Sequence, residues 1–305
     1  MRKPYQIWRD RRGRLSPLRI TTLAALLVPV AIAVHAYATT GFGARPLNDL
    51  IHRTGYWCLI FLAASLAVTP LRAIARYGAL IDVRRMLGVG AFAYAAAHLA
   101  LYVADQRYDL GKVASEIALR LYLTIGFTAW LGMAALAVTS TDAMVRRLGA
   151  VRWRRLHQIV YVVSLLALIH FFQQTKADVS VPVFVAGLFV WLAGYRLIAA
   201  RRHARGPLPT ALIAALTFGA ALLTFAGEAI GIAIAYRVSP LTVLRSAFDF
   251  SFDIRPGWYV LAAGLAVTLI DLLRAAFAAQ PRATAADQAG SASSGGRSFV
   301  PRQRP

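Results

Sequence analysis

Eight apolar stretches, each about as long as a bilayer is thick, determine what this sequence can fold into. A membrane-spanning helix needs roughly 20 apolar residues, and it satisfies all its backbone hydrogen bonds internally. The stretches are too continuous for the strands of a membrane barrel, whose signature is alternation. The sequence therefore predicts an all-α, polytopic membrane bundle. The predicted spans are about 20–40, 55–72, 84–104, 120–139, 155–174, 180–199, 209–236 and 257–278.

Composition narrows the class further. Hydrophobic residues make up 58% of the chain and charged residues 15%, against about 25% charged in soluble domains. The single cysteine, Cys58, excludes intrachain disulfides and cysteine-ligated clusters. A formal net charge of +21 would suit nucleic-acid binding, but the charges lie between apolar stretches. The expected partner of these charges is membrane lipid, and no nucleic acid is expected.

The Lys and Arg residues are divided unevenly between the two sides that the spans define. With the N-terminus inside, 25 of the 34 lie on the cytoplasmic side and nine on the opposite side. Cytoplasmic loops of membrane proteins carry such an excess. The split therefore predicts that both termini lie in the cytoplasm.

The same pattern divides the chain into four parts. These are a basic cytoplasmic N-terminal tail at 1–19, a core of six spans at 20–200, a two-helix extension at 208–278 and a tail at 279–305. The last tail lacks an apolar period and is expected to be disordered. Residues 36–38, Ala-Tyr-Ala, resemble the end of a signal peptide, but the long apolar stretch and long basic leader favour an uncleaved first helix.

Four of the six histidines lie within predicted spans, where ionisable side chains are rare and usually functional. His35 is interpreted as a structural, hydrogen-bonded imidazole. His98 lies toward the outer end of the third span, and the fifth span carries His157 at its inner end and His170 thirteen residues later. His157 and His170 are thus roughly 20 Å apart along the helix axis, one near each membrane face.

Depth predicts how these imidazoles pair. His98 and His170 share an outer level and could bind one haem iron axially. At the inner level, Arg84 and Arg85 stand where a partner for His157 would lie, and arginine suits a haem propionate or a flavin phosphate. Thirteen residues turn an ideal helix by about 140° off alignment, so an irregularity is needed to aim both histidines inward. The alternative is that His157 only caps a helix.

Residues from Gly41 to about Leu197 resemble the MsrQ (YedZ-like) family. Order and spacing follow that family over about 155 residues of this sequence. The matching blocks are Gly41–Pro46, Thr54-Gly55, Thr69–Leu71, Arg84–Gly88, Ala96–Leu99, Arg120–Gly126, Leu136–Thr141, Trp153–Tyr161 and Ile169-His170-Phe171.

The resemblance implies a six-helix, ferric-reductase-like bundle in the bacterial inner membrane that binds one or two b-type haems and also FMN. Members pass electrons from the quinone pool or a cytosolic flavin reductase to MsrP, a periplasmic molybdopterin enzyme that reduces methionine sulfoxide in envelope proteins. His98, His157 and His170 match the family's haem-linked histidines. The family also lacks a fourth histidine at the level of Arg84 and Arg85. By this resemblance the chain is an electron-transfer subunit rather than the catalytic one.

The chain departs from the family after Leu197, where two more spans follow with Glu228 and Asp271 inside them. These carboxyls are either buried structural pairs or groups that handle protons or quinone. The spacing of Gly227 and Gly231 predicts close packing of another helix.

Two other functions stay open. A stand-alone ferric or quinone reductase-like cytochrome would want a nicotinamide-binding unit, and no G-x-G-x-x-G segment is present. A transporter would show inverted repeats or paired broken helices, and none is evident.

Overall fold

A computed structural model describes residues 8–9, 13–39, 41, 44–175, 178–202, 207–251 and 253–279. The tail expected to be disordered lies outside these residues from position 280 onward.

The described chain is helical, with no β-strand in any of its described ranges. Proline begins several helices, where its missing N–H costs nothing and its fixed φ suits the first turn. A single 3₁₀ turn, Gly78–Leu80, precedes the third helix. The helices are α1 Pro17–Thr39, α2 Pro46–Ile74, α3 Ile81–Asp105, α4 Leu110–Leu119, α5 Leu121–Val138, α6 Asp142–Leu148, α7 Ala150–His157, α8 Val160–Gln174, α9 Ser180–Arg201, α10 Thr210–Tyr236, α11 Pro240–Ser246 and α12 Pro256–Ala279.

Eight helical segments of the described chain are long and apolar enough to cross a membrane, which confirms the predicted all-α polytopic class. The second begins at Pro46, earlier than the predicted position 55, because a proline-initiated helix continues through polar residues before the apolar stretch. The fifth span is divided between α7 and α8, which meet at Gln158 and Ile159. The spans are Pro17–Thr39, Pro46–Ile74, Gly78–Asp105, Leu121–Val138, Ala150–Gln174, Ser180–Arg201, Thr210–Tyr236 and Pro256–Phe277.

We name the two ends of the bundle after the orientation that the charges predict. The outer end is where α2 and α5 begin and α8 ends; the inner end is where α2 and α5 end and α7 begins. The short helices α4 and α11 lie at the outer end, and α6 at the inner end.

The first half of the bundle is built on α2, which packs along α3 and also contacts α8 and α9. α5 packs on α8, and α1 lies outside on α3. Buried side chains from α2, α3, α5 and α8 form one core at their centre. These four helices therefore surround a common interior.

The extension consists of α10 and α12, which pack on each other and on α9. Gly187 of α9 and Gly264 of α12 permit the close approach, since a Cβ at either would press on Thr224 or Thr217 of α10. No helix of the described chain packs on Gly227 or Gly231, since a Cβ at either would meet nothing within 4 Å. The close-packing face of α10 is the threonine side instead.

Candidate functional site

A cavity of about 390 Å³ opens at the outer end of the bundle, a volume within the range of ligand pockets. Its walls come from α2, α3, α4, α5 and α8. The deep part is apolar, and the mouth is polar and charged. The deep residues include Cys58, Leu59, Ala95, Phe127, Ala129, Trp130 and Met133, and the mouth includes Asn48, His52, Asp105, Gln106, Lys112, Glu116, Arg120 and Gln174.

His98 of α3 and His170 of α8 face each other inside this cavity, with ring centroids 6.3 Å apart and ring planes at 88°. Each Nδ1 lies 2.8 Å from a backbone carbonyl oxygen, that of Ile51 for His98 and that of Tyr122 for His170. A carbonyl only accepts, so each Nδ1 carries the hydrogen and donates it. The Nε2 lone pair of each neutral ring is then available to a metal.

Two glycines make room for these rings. A Cβ at Gly55 would lie 3.1 Å from His98 Nδ1, and a Cβ at Gly126 would lie 2.7 Å from His170 Nδ1. The second distance is shorter than ordinary contacts allow. The backbones of α2 and α5 can therefore lie directly against the imidazoles, because glycine has no side chain at these two positions.

The donor set suits a metal that is held by a macrocycle. The described residues contain no group of three or more His, Cys, Asp or Glu side chains that could bind a metal ion. Two imidazoles alone fit an iron whose other positions are filled by a porphyrin. Metal–imidazole bonds of about 2 Å on both sides of one iron put the ring centres about 6 Å apart, close to the observed separation. The indole Nε1 of Trp130, in the cavity wall, is buried without a hydrogen-bond partner in the described chain, as expected of a cavity wall that meets a ligand.

His157 lies at the inner end, apart from the other two histidines. It is the last residue of α7, and its ring stacks on Trp153 with centroids 3.9 Å apart. Its Nδ1 lies 3.1 Å from the Trp153 carbonyl oxygen and its Nε2 lies 3.3 Å from Ser140 Oγ. The helix is interrupted at Gln158 and Ile159, between the two histidines for which the thirteen-residue spacing predicts an irregularity.

Arg84 and Arg85 lie within electrostatic range of His157. Arg85 pairs with Asp142 at 2.7 Å, and both side chains are exposed. The Arg84 carbonyl accepts a hydrogen bond from Ser65 Oγ at 3.2 Å. The structure therefore brings the predicted inner residues together, as a cluster separate from the outer cavity.

Sequence reasoning missed several residues around the outer cavity. Gly55, Arg120, Tyr122 and Gly126 all occur in the blocks that carry the family resemblance, and that was the available signal. Lys112 is outside those blocks, and only the folding of α4 over the mouth brings it to the cavity.

The two carboxyls of the extension have cationic partners. Glu228 is 3% exposed and pairs with Arg255 at 3.4 Å, at the outer end. Asp178, in the loop before α9, lies within range of the same arginine, and hydrogen bonds from the Ser180 side chain and backbone N–H lower its pKa. At the inner end, Asp271 pairs with Arg274 at 2.8 Å. Charge pairing accounts for the burial of both.

Residues 53–168, which include His98 and end two residues before His170, match the ferric reductase like transmembrane component family. Fold and match together define a multi-pass membrane protein with a ferric-reductase-like core. A protein of Xanthomonas oryzae pv. oryzae (strain MAFF 311018) is 41% identical over 197 residues, 61% of this chain and 90% of that protein. One of Rhodospirillum rubrum is 40% identical over 204 residues, 66% of this chain and 96% of that protein. Both are named protein-methionine-sulfoxide reductase heme-binding subunit MsrQ.

The chain belongs to the MsrQ family. About a third of it lies outside the match to the Rhodospirillum protein, since 66% is covered. No solved structure matches the chain.

Proposed function

We propose that this chain is the haem-binding, electron-transferring membrane subunit of a methionine-sulfoxide reductase system. In this proposal it lies in a bacterial inner membrane with both termini in the cytoplasm. His98 and His170 bind one b-type haem through Nε2. The observation that carries the proposal is the pair of imidazoles facing each other in a ligand-sized cavity.

The chain's own residues have defined tasks at this site. The carbonyls of Ile51 and Tyr122 hold the two Nδ1 hydrogens, which fixes the tautomer and the ring orientation. Apolar side chains deeper in the cavity exclude water, and their low polarity favours the less charged oxidation state of a bound metal. A haem held here supplies reversible one-electron transfer, while the protein supplies ligands, position and environment.

The acceptor in this proposal is the periplasmic molybdopterin reductase MsrP. The opening of the cavity supports an acceptor at the outer end, and the naming of the relatives as subunits of a methionine-sulfoxide reductase supports the kind of acceptor.

The donor in this proposal is the quinone pool or a cytosolic flavin reductase, acting at the inner end. Arg84, Arg85 and His157 lie together there. Guanidinium groups bind phosphate and carboxylate through paired hydrogen bonds. This cluster is therefore our candidate for the phosphate of FMN or for the propionates of a second haem.

Absorption spectra of the purified protein, with and without dithionite, test the proposal. We expect a b-type spectrum that shifts on reduction. His98→Ala and His170→Ala should each abolish or sharply reduce the Soret band, because one axial ligand is lost. His35→Ala is the matched control, since His35 is exposed on α1. An unchanged low-spin spectrum in both cavity variants would refute the ligand assignment.

A further inference from the structure

The outer cavity is apolar at its deep end and charged at its mouth. Its floor, around Trp130 and Met133, carries no charged side chain among the described lining residues. Among the described lining residues, the only Lys or Arg side chains are Lys112 and Arg120, and both lie at the mouth. A ligand with an apolar body and an anionic end has one favourable direction in such a cavity, because a buried unpaired charge is costly.

The hydrogen bonds of Arg120 orient the Tyr122 hydroxyl as a hydrogen-bond donor at this mouth. Its Nε and Nη2 groups bind the carboxylate of Glu116, the second at 3.1 Å. Its Nη1 donates to the hydroxyl oxygen of Tyr122 at 3.3 Å. That oxygen acts as acceptor, so the Tyr122 hydroxyl hydrogen is left to donate elsewhere.

Lys112 is the second cation that lines this mouth. It precedes Glu116 by four residues on α4, so both lie on one face of the helix, and both line the cavity. In the described chain the Lys112 ammonium makes no ion pair. Of the two mouth carboxylates, Glu116 is held by Arg120, and Asp105 accepts a hydrogen bond from Gln106 Nε2 at 3.3 Å.

α4 is fixed over the mouth, so these donors are preorganised. Asp109 caps its first turn by accepting from the Lys112 backbone N–H at 2.9 Å. Val113 is 6% exposed, and Thr124 of α5 donates to the Ile117 carbonyl at 2.6 Å. The helix is thus tied down at its start, its buried face and its end.

We infer that the mouth of the outer cavity is a carboxylate-recognition site, formed by the Lys112 ammonium and the Tyr122 hydroxyl with Arg120 behind it. This inference rests on the proposed function: in a haem, the carboxylates are the propionates, which then point to the outer end. Tyr122 serves both parts of the site. Its hydroxyl faces the mouth, its carbonyl holds His170 Nδ1, and its ring stacks on that imidazole at 6.4 Å.

The test is reconstitution of the haem-free protein in detergent with haemin and, separately, with haemin dimethyl ester, which lacks free carboxylates. In the unaltered protein the ester should bind about tenfold more weakly, as expected for a lost charge-assisted hydrogen bond. Lys112→Gln and Tyr122→Phe should weaken haemin binding and bring the two affinities together. The low-spin spectrum should persist, since both axial imidazoles remain.

Arg245→Gln is the matched control, because Arg245 belongs to the outer end but not to the cavity lining. It should keep the full preference for haemin. Equal binding of haemin and its ester by the unaltered protein would overturn the inference and leave the haem site standing. Failure of both porphyrins to give a low-spin spectrum with the protein would overturn the proposed function and the inference together.

Discussion

Each imidazole of the outer pair is positioned by two contacts of different kinds. A backbone carbonyl accepts the Nδ1 hydrogen, and a glycine on the facing helix leaves space for the ring. The two carbonyls belong to α2 and α5, the helices that also carry Gly55 and Gly126. Ring position is therefore set by backbone, which side-chain repacking does not disturb.

Gly126→Ala tests this arrangement at the tighter of the two positions. The new methyl group would stand 2.7 Å from His170 Nδ1, so the ring must move away and weaken its bond to the Tyr122 carbonyl. We expect a weaker Soret band or a partial change from low-spin to high-spin haem. Gly219→Ala is the control, since a Cβ there meets nothing within 4 Å. An identical low-spin spectrum and haem content in Gly126→Ala would contradict the steric account.

At this scale the sequence predicted the residue types but not their partners. The depth of His98 and His170 in their spans was enough to pair them. The partners of the rings are carbonyls of Ile51 and Tyr122, and every residue carries a carbonyl, so no side chain in the sequence marks them. Lys112 was missed for a similar reason, because its position depends on the turn between α3 and α4.

Among the elements, the division of the fifth span is the most informative. The thirteen-residue separation of His157 and His170 required an irregularity, and α7 and α8 meet at Gln158 and Ile159. Neither is a glycine or proline, the usual marks of a helix break. The need for a break was therefore predictable, and its position was not.

His157→Ala tests the inner end as the entry point for electrons. The variant removes the ring that stacks on Trp153 and contacts Ser140, but leaves the outer imidazole pair intact. In membranes, reduction by quinol or flavin donors should slow, while the Soret band of the outer site persists. The control is Arg146→Gln, an exposed arginine of α6 at the same end. Reduction at the unaltered rate in His157→Ala would remove the inner cluster from the path.

At the scale of the whole molecule, the number of spans was predictable and their packing was not. Length and apolarity define eight segments, because the thickness of the bilayer sets them. Lipid is as apolar as leucine, so hydrophobicity does not separate a lipid-facing side from a helix-facing one. The attachment of α10 and α12 to α9, and the unpacked Gly227 and Gly231, are consequences that only the folded chain displays. Polar contacts join α10 to the α12 segment at both ends: Glu228 pairs with Arg255, the residue before α12, and the Thr210 hydroxyl donates to the Asp271 carboxylate at 2.5 Å.

Fusions to alkaline phosphatase, which is active only outside the cytoplasm, test the topology of the extension. An even number of spans puts both termini on one side, and the excess of basic residues makes that side the cytoplasm. A fusion after Ser239, between α10 and α11, should be strongly active, and a fusion after Ala279, at the end of α12, should be inactive. The pair controls for expression, because the two junctions differ only by α11 and one span. Strong activity after Ala279 would reverse the orientation. Inactivity after Ser239, with the fusion protein present in the membrane, would mean that α10 does not cross.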